Sequence, residues 1–89
     1  MARFLLICPH IPEECTDALD SVLAVSHELL NRFDWGCKAG DHTGWAVVEA
    51  QNEATARMLL PTSIRAHAHA IPLNKFSAEE VNSFHAEHH

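Results

Sequence analysis

Residues 3–8, RFLLIC, carry a continuous apolar run from Phe4 to Cys8, closed off by Pro9, Pro12 and the acidic pair Glu13 and Glu14. A run of that length between turn formers reads as a central strand, covered on both faces or lying against another subunit. From Pro12 a periodic segment places Cys15, Leu19, Val22, Ser26, Leu29, Leu30 and Phe33 on one side. Asp17, Asp20, Ala24, His27 and Asn31 fall mostly on the other. The spacing predicts a surface helix of about twenty residues, with acids in its first turn beside the free amide groups.

The stretch WGCKAGDHTGW, residues 35–45, follows. Gly40, Asp41, His42 and Thr43 are turn formers between two strand-like runs, 35–39 and 44–50, so the stretch reads as a hairpin. Asn52 is placed to cap a short helix running to Leu60, where Pro61 stops it. Residues 65–71, RAHAHAI, alternate strictly, with Ala66, Ala68 and Ala70 on one face and His67, His69 and Ile71 on the other. Ser77-Ala78-Glu79-Glu80 has the spacing of a capping box and opens a terminal helix over about 78–88, carrying Val81, Phe84, His85 and His88 along one side. Residues 1–89 therefore read as one domain with its core in 3–73, and no linker or repeat divides them. A chain this short hides roughly 60 to 65% of its extended surface, so a partner subunit would help it.

The element order predicts an α+β fold, the split β-α-β, β-α-β arrangement. Its antiparallel sheet has the order 4-1-3-2, both helices lie on one face, and an extra C-terminal helix follows. The uncovered face carries apolar positions, and a homodimer burying sheet against sheet is the natural remedy. Strand direction also brings the end of the first strand, the 41–42 turn and the start of the fourth strand to one border. His10, His42 and His67 then share a rim, with His67 the nearer partner of His10 and His42 about 10 Å away.

That rim supplies the candidate chemistry. His67 and His10 are the candidate bases, and Arg65 can place an anionic substrate. Trp35 and Trp45 offer apolar walls, while His69, His42 and Asp41 are further ligand-binding candidates. Asp41 as an acceptor from an imidazole would fix a tautomer, though turn amides are its plainer partners. A divalent metal such as zinc, copper or nickel would use His10, His67 and His69, with water or Cys8 completing the shell. Each residue also has a plainer reading. His67 and His69 can pack in an interface, His10 and His42 can serve loops, and Arg65 can form a surface ion pair. Cys15 falls in the helical stripe and Cys37 alternates with Trp35 and Ala39, so both read as small buried hydrophobes. The terminal helix can fold over the sheet opening, packing Phe84 and adding His85, and His85 and His89 stand within reach of a shared metal.

Six Lys and Arg against twelve Asp and Glu, with no basic cluster, argue against a nucleic-acid partner. Three cysteines without CxxC spacing fit a reducing compartment. The run in residues 4–8 is far shorter than a signal-peptide core or a membrane span, so a cytoplasmic protein with no membrane partner is expected.

In element order and size, residues 3–73 resemble the superfamily of small ferredoxin-like, dimeric α/β-barrel proteins. The stretch GCKAGDHTGWAVVEA, with the strand near 65–71, is also similar to a DUF3303-like group of small bacterial domains. The superfamily resemblance implies a homodimer with a ligand cavity between sheet and helices or in the central barrel, and it transfers no catalytic residue. Three functional classes follow: an enzyme acting on a small organic molecule at the rim, a divalent-metal-binding protein, or a non-catalytic binding or structural dimer.

Overall fold

The computed structural model describes residues 1–87. Strand β1 (Ala2–Pro9) occupies an inner position of a four-stranded antiparallel sheet with the order β2-β3-β1-β4, where β2 is Phe33–Trp35, β3 is Thr43–Ala50 and β4 is His69–Leu73. Read from the β4 edge, the series is 4-1-3-2. β1 lies against β3 in a register running from Ala2 opposite Ala50 to Pro9 opposite Thr43, and against β4 from Arg3 opposite Leu73 to Ile7 opposite His69.

Helices α1 (Cys15–Val25), α2 (His27–Arg32), α3 (Glu53–Met58) and α4 (Thr62–Arg65) supply the cover. Successive strand residues point to opposite faces, so Phe4, Leu6 and Cys8 of β1 are buried together with Ala46, Val48 and Ala50 of β3 and Ala70 of β4. Ala18, Val22, Leu29, Ala56, Leu60 and Ile64 close the core from the helical side. The intervening residues Leu5 and Ile7 are only half-buried, and Val47 and Ile71 are 47% and 44% exposed. Within the chain itself, β1 is thus covered on one face and not on both.

The long first helix is broken. Ser26 is extended (φ −172°, ψ 156°), and its hydroxyl accepts from the Leu29 amide at 2.9 Å, capping α2. Serine competes well for a cap and poorly for a helix interior, so the chain bends there. Phe33 leaves the helical stripe as a result and begins β2. The second strand, expected over 35–39, ends at Trp35, and residues Cys37–Ala39 form a 3-10 turn. The fourth strand starts at His69 and not at 65, because the chain after Pro61 turns helical again as α4.

Two local signals act as expected. Asn52 accepts from the Thr55 amide at 2.8 Å at the start of α3. Ser77 and Glu80 cap reciprocally, the Glu80 amide donating to the Ser77 hydroxyl and the Ser77 amide to the Glu80 carboxylate. Helix α5 (Ala78–Glu87) does not fold over the sheet. Every residue from Asn74 to Ala86 is exposed, and Phe84 meets Phe76 edge-on at 5.6 Å between ring centroids. His88 and His89, and the metal pairing considered for His85 with His89, lie outside the described residues.

Replacing Ser26 with Ala removes the cap at the α1–α2 bend. Chemical denaturation is expected to show a loss of about 1 kcal/mol, with an unchanged denaturant slope.

Candidate metal centre

The backbone pairing of β1 and β3 continues one step past the sheet, because the His10 amide donates to the His42 carbonyl at 3.0 Å. The two imidazoles are consequently neighbours, with ring centroids 5.8 Å apart. The greater separation expected from sequence sets His42 over both β2 and β3, whereas it directly precedes the Thr43 end of β3 that pairs with Pro9 of β1. After His10 the chain passes through a 3-10 turn (Pro12–Glu14) and enters α1 at Cys15, which folds back toward the strand end.

The opposite pair comes from the β2–β3 connection. The Gly36 carbonyl accepts from the amides of Ala39 and Asp41, at 2.9 and 3.0 Å, and the Gly36 amide donates to Thr43 at 3.0 Å. A side chain at 36 would place its Cβ 2.6 Å from the Asp41 carbonyl oxygen, and Gly40 takes φ +90°, so the turn is built on these two glycines. It presents Cys37 from its first residue and His42 from its exit. The Asp41 carboxylate accepts from the Thr43 hydroxyl at 2.8 Å, an acceptor role inside the turn and not toward an imidazole.

Four donor atoms meet here. Cys15 Sγ lies 2.9 Å from His42 Nδ1, 3.1 Å from His10 Nε2 and 3.3 Å from Cys37 Sγ, and Cys37 Sγ is 3.3 Å from His10 Nε2. All four atoms fall within 4.8 Å of one another, and all four residues are half-buried. A tetrahedral zinc ion with ordinary Zn–S and Zn–N bonds needs donor separations of about 3.3 to 3.8 Å. The four short separations fall below those values by about 0.2 to 0.7 Å and the other pairs lie within 4.8 Å, a spread that side-chain torsions can adjust. Trp35 stands beside the His10 ring at 6.1 Å between centroids and stacks on Phe33 at 5.1 Å, forming a wall along one side.

The electrostatics also suit a cation. Burial, and then the neighbouring Cys37 sulfur by hydrogen bond and charge, push the Cys15 thiol above its ordinary value. Two thiolates this close repel, and a divalent ion between them reverses that repulsion.

His10 is thus in the cluster, while His67 and His69, the two other histidines expected as metal ligands, are not. His67 sits in the turn before β4 and borders, with His10, Trp35 and Ile64, a cleft between α1 and α4. His69 is exposed opposite Ile7 on the open sheet face, and Trp45 pairs with Ile7 from the other side, two strands away from His69. The Arg65 guanidinium donates to the Leu60 carbonyl at 2.8 Å and the Met58 carbonyl at 3.4 Å, tying down the end of α3. Cys8 is 2% exposed on the core side of β1, and burial pushes its thiol up to about 11. It belongs to the core, and Cys15 and Cys37 supply the sulfurs.

No family model, no curated protein and no solved structure matches the chain. The site therefore has to be read from its own geometry. Its sequence signal is a mirrored spacing, His10 five residues before Cys15 and Cys37 five residues before His42. The signal is easily missed, because neither pair has the short CxxC interval of common zinc sites.

In reduced, chelator-treated protein, a thiol reagent is expected to modify the half-buried Cys15 and Cys37 before the sealed Cys8, which reacts only on unfolding. Peptide mapping of the adducts checks this. Cys8 titrates higher folded than its ordinary 9.0, so its contribution to stability is complete below about pH 9 and is lost as pH rises toward 11. Thermal melts of Cys8→Ala should show a smaller alkaline decline than wild type.

Proposed function

We propose that this chain is a zinc protein whose ion is held by His10 Nε2, Cys15 Sγ, Cys37 Sγ and His42 Nδ1. The observation that carries the reading is the convergence of these four donors within 4.8 Å from two separate connections of the sheet. Two thiolates and two imidazoles in a compact four-fold arrangement suit zinc, whereas nickel and copper(II) favour planar or tetragonal sets. When bound, the ion supplies a strong electrostatic cross-link.

Four protein donors leave no position for a substrate, so the centre is structural and not hydrolytic. It ties the start of α1 to the β2–β3 turn, beside the backbone bond from the His10 amide to the His42 carbonyl. For so small a chain that cross-link is a large share of the stabilisation available. The three cysteines are free, as a thiolate site in a reducing, cytoplasmic setting requires. No helix of the described residues is long and apolar enough to cross a membrane.

A second feature favours self-association. Leu5, Ile7, Trp45, Val47 and Ile71 are partly or well exposed on the sheet face away from the helices. Burial of that face by a second copy, in the manner of a ferredoxin-like dimeric α/β barrel, would remove it from water. The rim then serves as the stapled end of a binding or structural dimer.

Untagged protein purified without chelator is expected to carry one zinc per chain by elemental analysis. Cys15→Ser and Cys37→Ser should each lose it, while His67→Ala and His69→Ala should keep it; retention by both cysteine variants would overturn the reading. Cobalt exchanged into the site should give the visible bands of a tetrahedral thiolate complex. Zinc at about a thousandfold excess over its dissociation constant should add about 4 kcal/mol of stability, lost on acidification because the donors must be deprotonated. Val47→Glu is expected to shift sedimentation toward the monomer without altering the zinc content.

A further inference from the structure

We propose that Cys15 and Cys37 are also a redox pair, which a two-electron oxidant of the hydroperoxide class closes into an intramolecular disulfide, expelling the metal. The release step rests on the zinc reading above, whereas the disulfide rests on the sulfur geometry alone.

The two sulfurs lie 3.3 Å apart, and a disulfide requires about 2.05 Å, so closure moves them together by about 1.3 Å. Cys37 rides on a short turn between Gly36 and Gly40, and Cys15 is the first residue of α1. Neither is fixed in the middle of a strand. Both are half-buried, which leaves a small uncharged oxidant a path to sulfur. His10 Nε2 and His42 Nδ1 lie 2.9 to 3.3 Å from the sulfurs, so the pair sits at the open end of the strands and not in the core. Cys8, the remaining thiol, is sealed in the core and offers no competing partner.

The chemistry balances with the peroxide as the only co-reactant. One thiolate attacks a peroxide oxygen; the O–O bond breaks, an S–O bond forms, and the departing hydroxide takes a proton from solvent to become water. The second thiolate attacks the resulting sulfenic sulfur, forms the S–S bond and displaces a second hydroxide, protonated in the same way. Together the two sulfurs give up two electrons, which reduce hydrogen peroxide to two waters, or an organic hydroperoxide to an alcohol and one water. The centre keeps only the two imidazoles and no longer holds zinc.

The test is a hydrogen peroxide titration of the reduced, zinc-loaded full chain, with a chromogenic chelator reporting free zinc and non-reducing mass spectrometry reporting the thiols. One zinc is expected to appear per disulfide formed, with a mass loss of two hydrogens and a mapped Cys15–Cys37 link. Dithiothreitol should restore both thiols and zinc binding, and Cys8→Ala should behave as wild type. Zinc retained through the titration, sulfinic or sulfonic products in place of the disulfide, or a bridge that involves Cys8 or joins two chains would overturn the proposal. The same titration on chelator-stripped protein separates the two readings. If reduced protein takes up no zinc, the metal assignment falls while a Cys15–Cys37 disulfide still establishes the pair. If zinc binds but the stripped protein forms no such bridge, the redox pair falls and the metal assignment stands.

Discussion

The structure depends on the antiparallel pairing of β1 with β3. Its register places Cys8 opposite Gly44 and Pro9 opposite Thr43, and the His10–His42 backbone bond extends the ladder by one more step. Slippage by a single residue would turn Phe4, Leu6 and Cys8 out of the core and separate the two imidazoles. The core and the cluster are therefore not independent achievements of the sequence. The register that buries the apolar side chains also sets the donors facing one another.

What could be read in advance follows the range of each interaction. The first strand, the Asn52 cap and the Ser77–Glu80 box are local, and their residues announce them. The break at Ser26 was hidden because serine fits the polar-tolerant edge of a helical stripe as well as it fits a cap, and only packing decides between them. The start of β4 is not legible in the sequence, because alternating alanine and histidine carries little apolar contrast while Pro61 opens a new helical turn. The common rim was legible from strand direction. Its sulfurs were not: Cys15 lies on the periodicity of a core helix and Cys37 on that of a strand, and each pattern supplies a sufficient explanation by itself. Only the mirrored His–Cys and Cys–His intervals, compared across the chain, point to a shared purpose.

Helices cover one face of the sheet and leave the other partly wet, and α5 stands clear of both. A domain this small has a narrow margin from its core alone. On the reading proposed here it is supplemented twice, by a cation at one end of the strands and by a second copy against the open face. These supplements differ in what dissolves them. Chelation or oxidation acts on the first, and dilution acts on the second.

The two imidazoles enter the cluster through different nitrogens, Nε2 for His10 and Nδ1 for His42. Nδ1 lies close to its own main chain, whereas Nε2 is at the far tip of the ring. Position 42 is thus a short-reach position, where a sulfur or a carboxylate oxygen would span nearly the same gap. Position 10 needs the full length of an imidazole. On the zinc reading, the two ligand positions are accordingly asymmetric, with 42 tolerant of a shorter donor and 10 not.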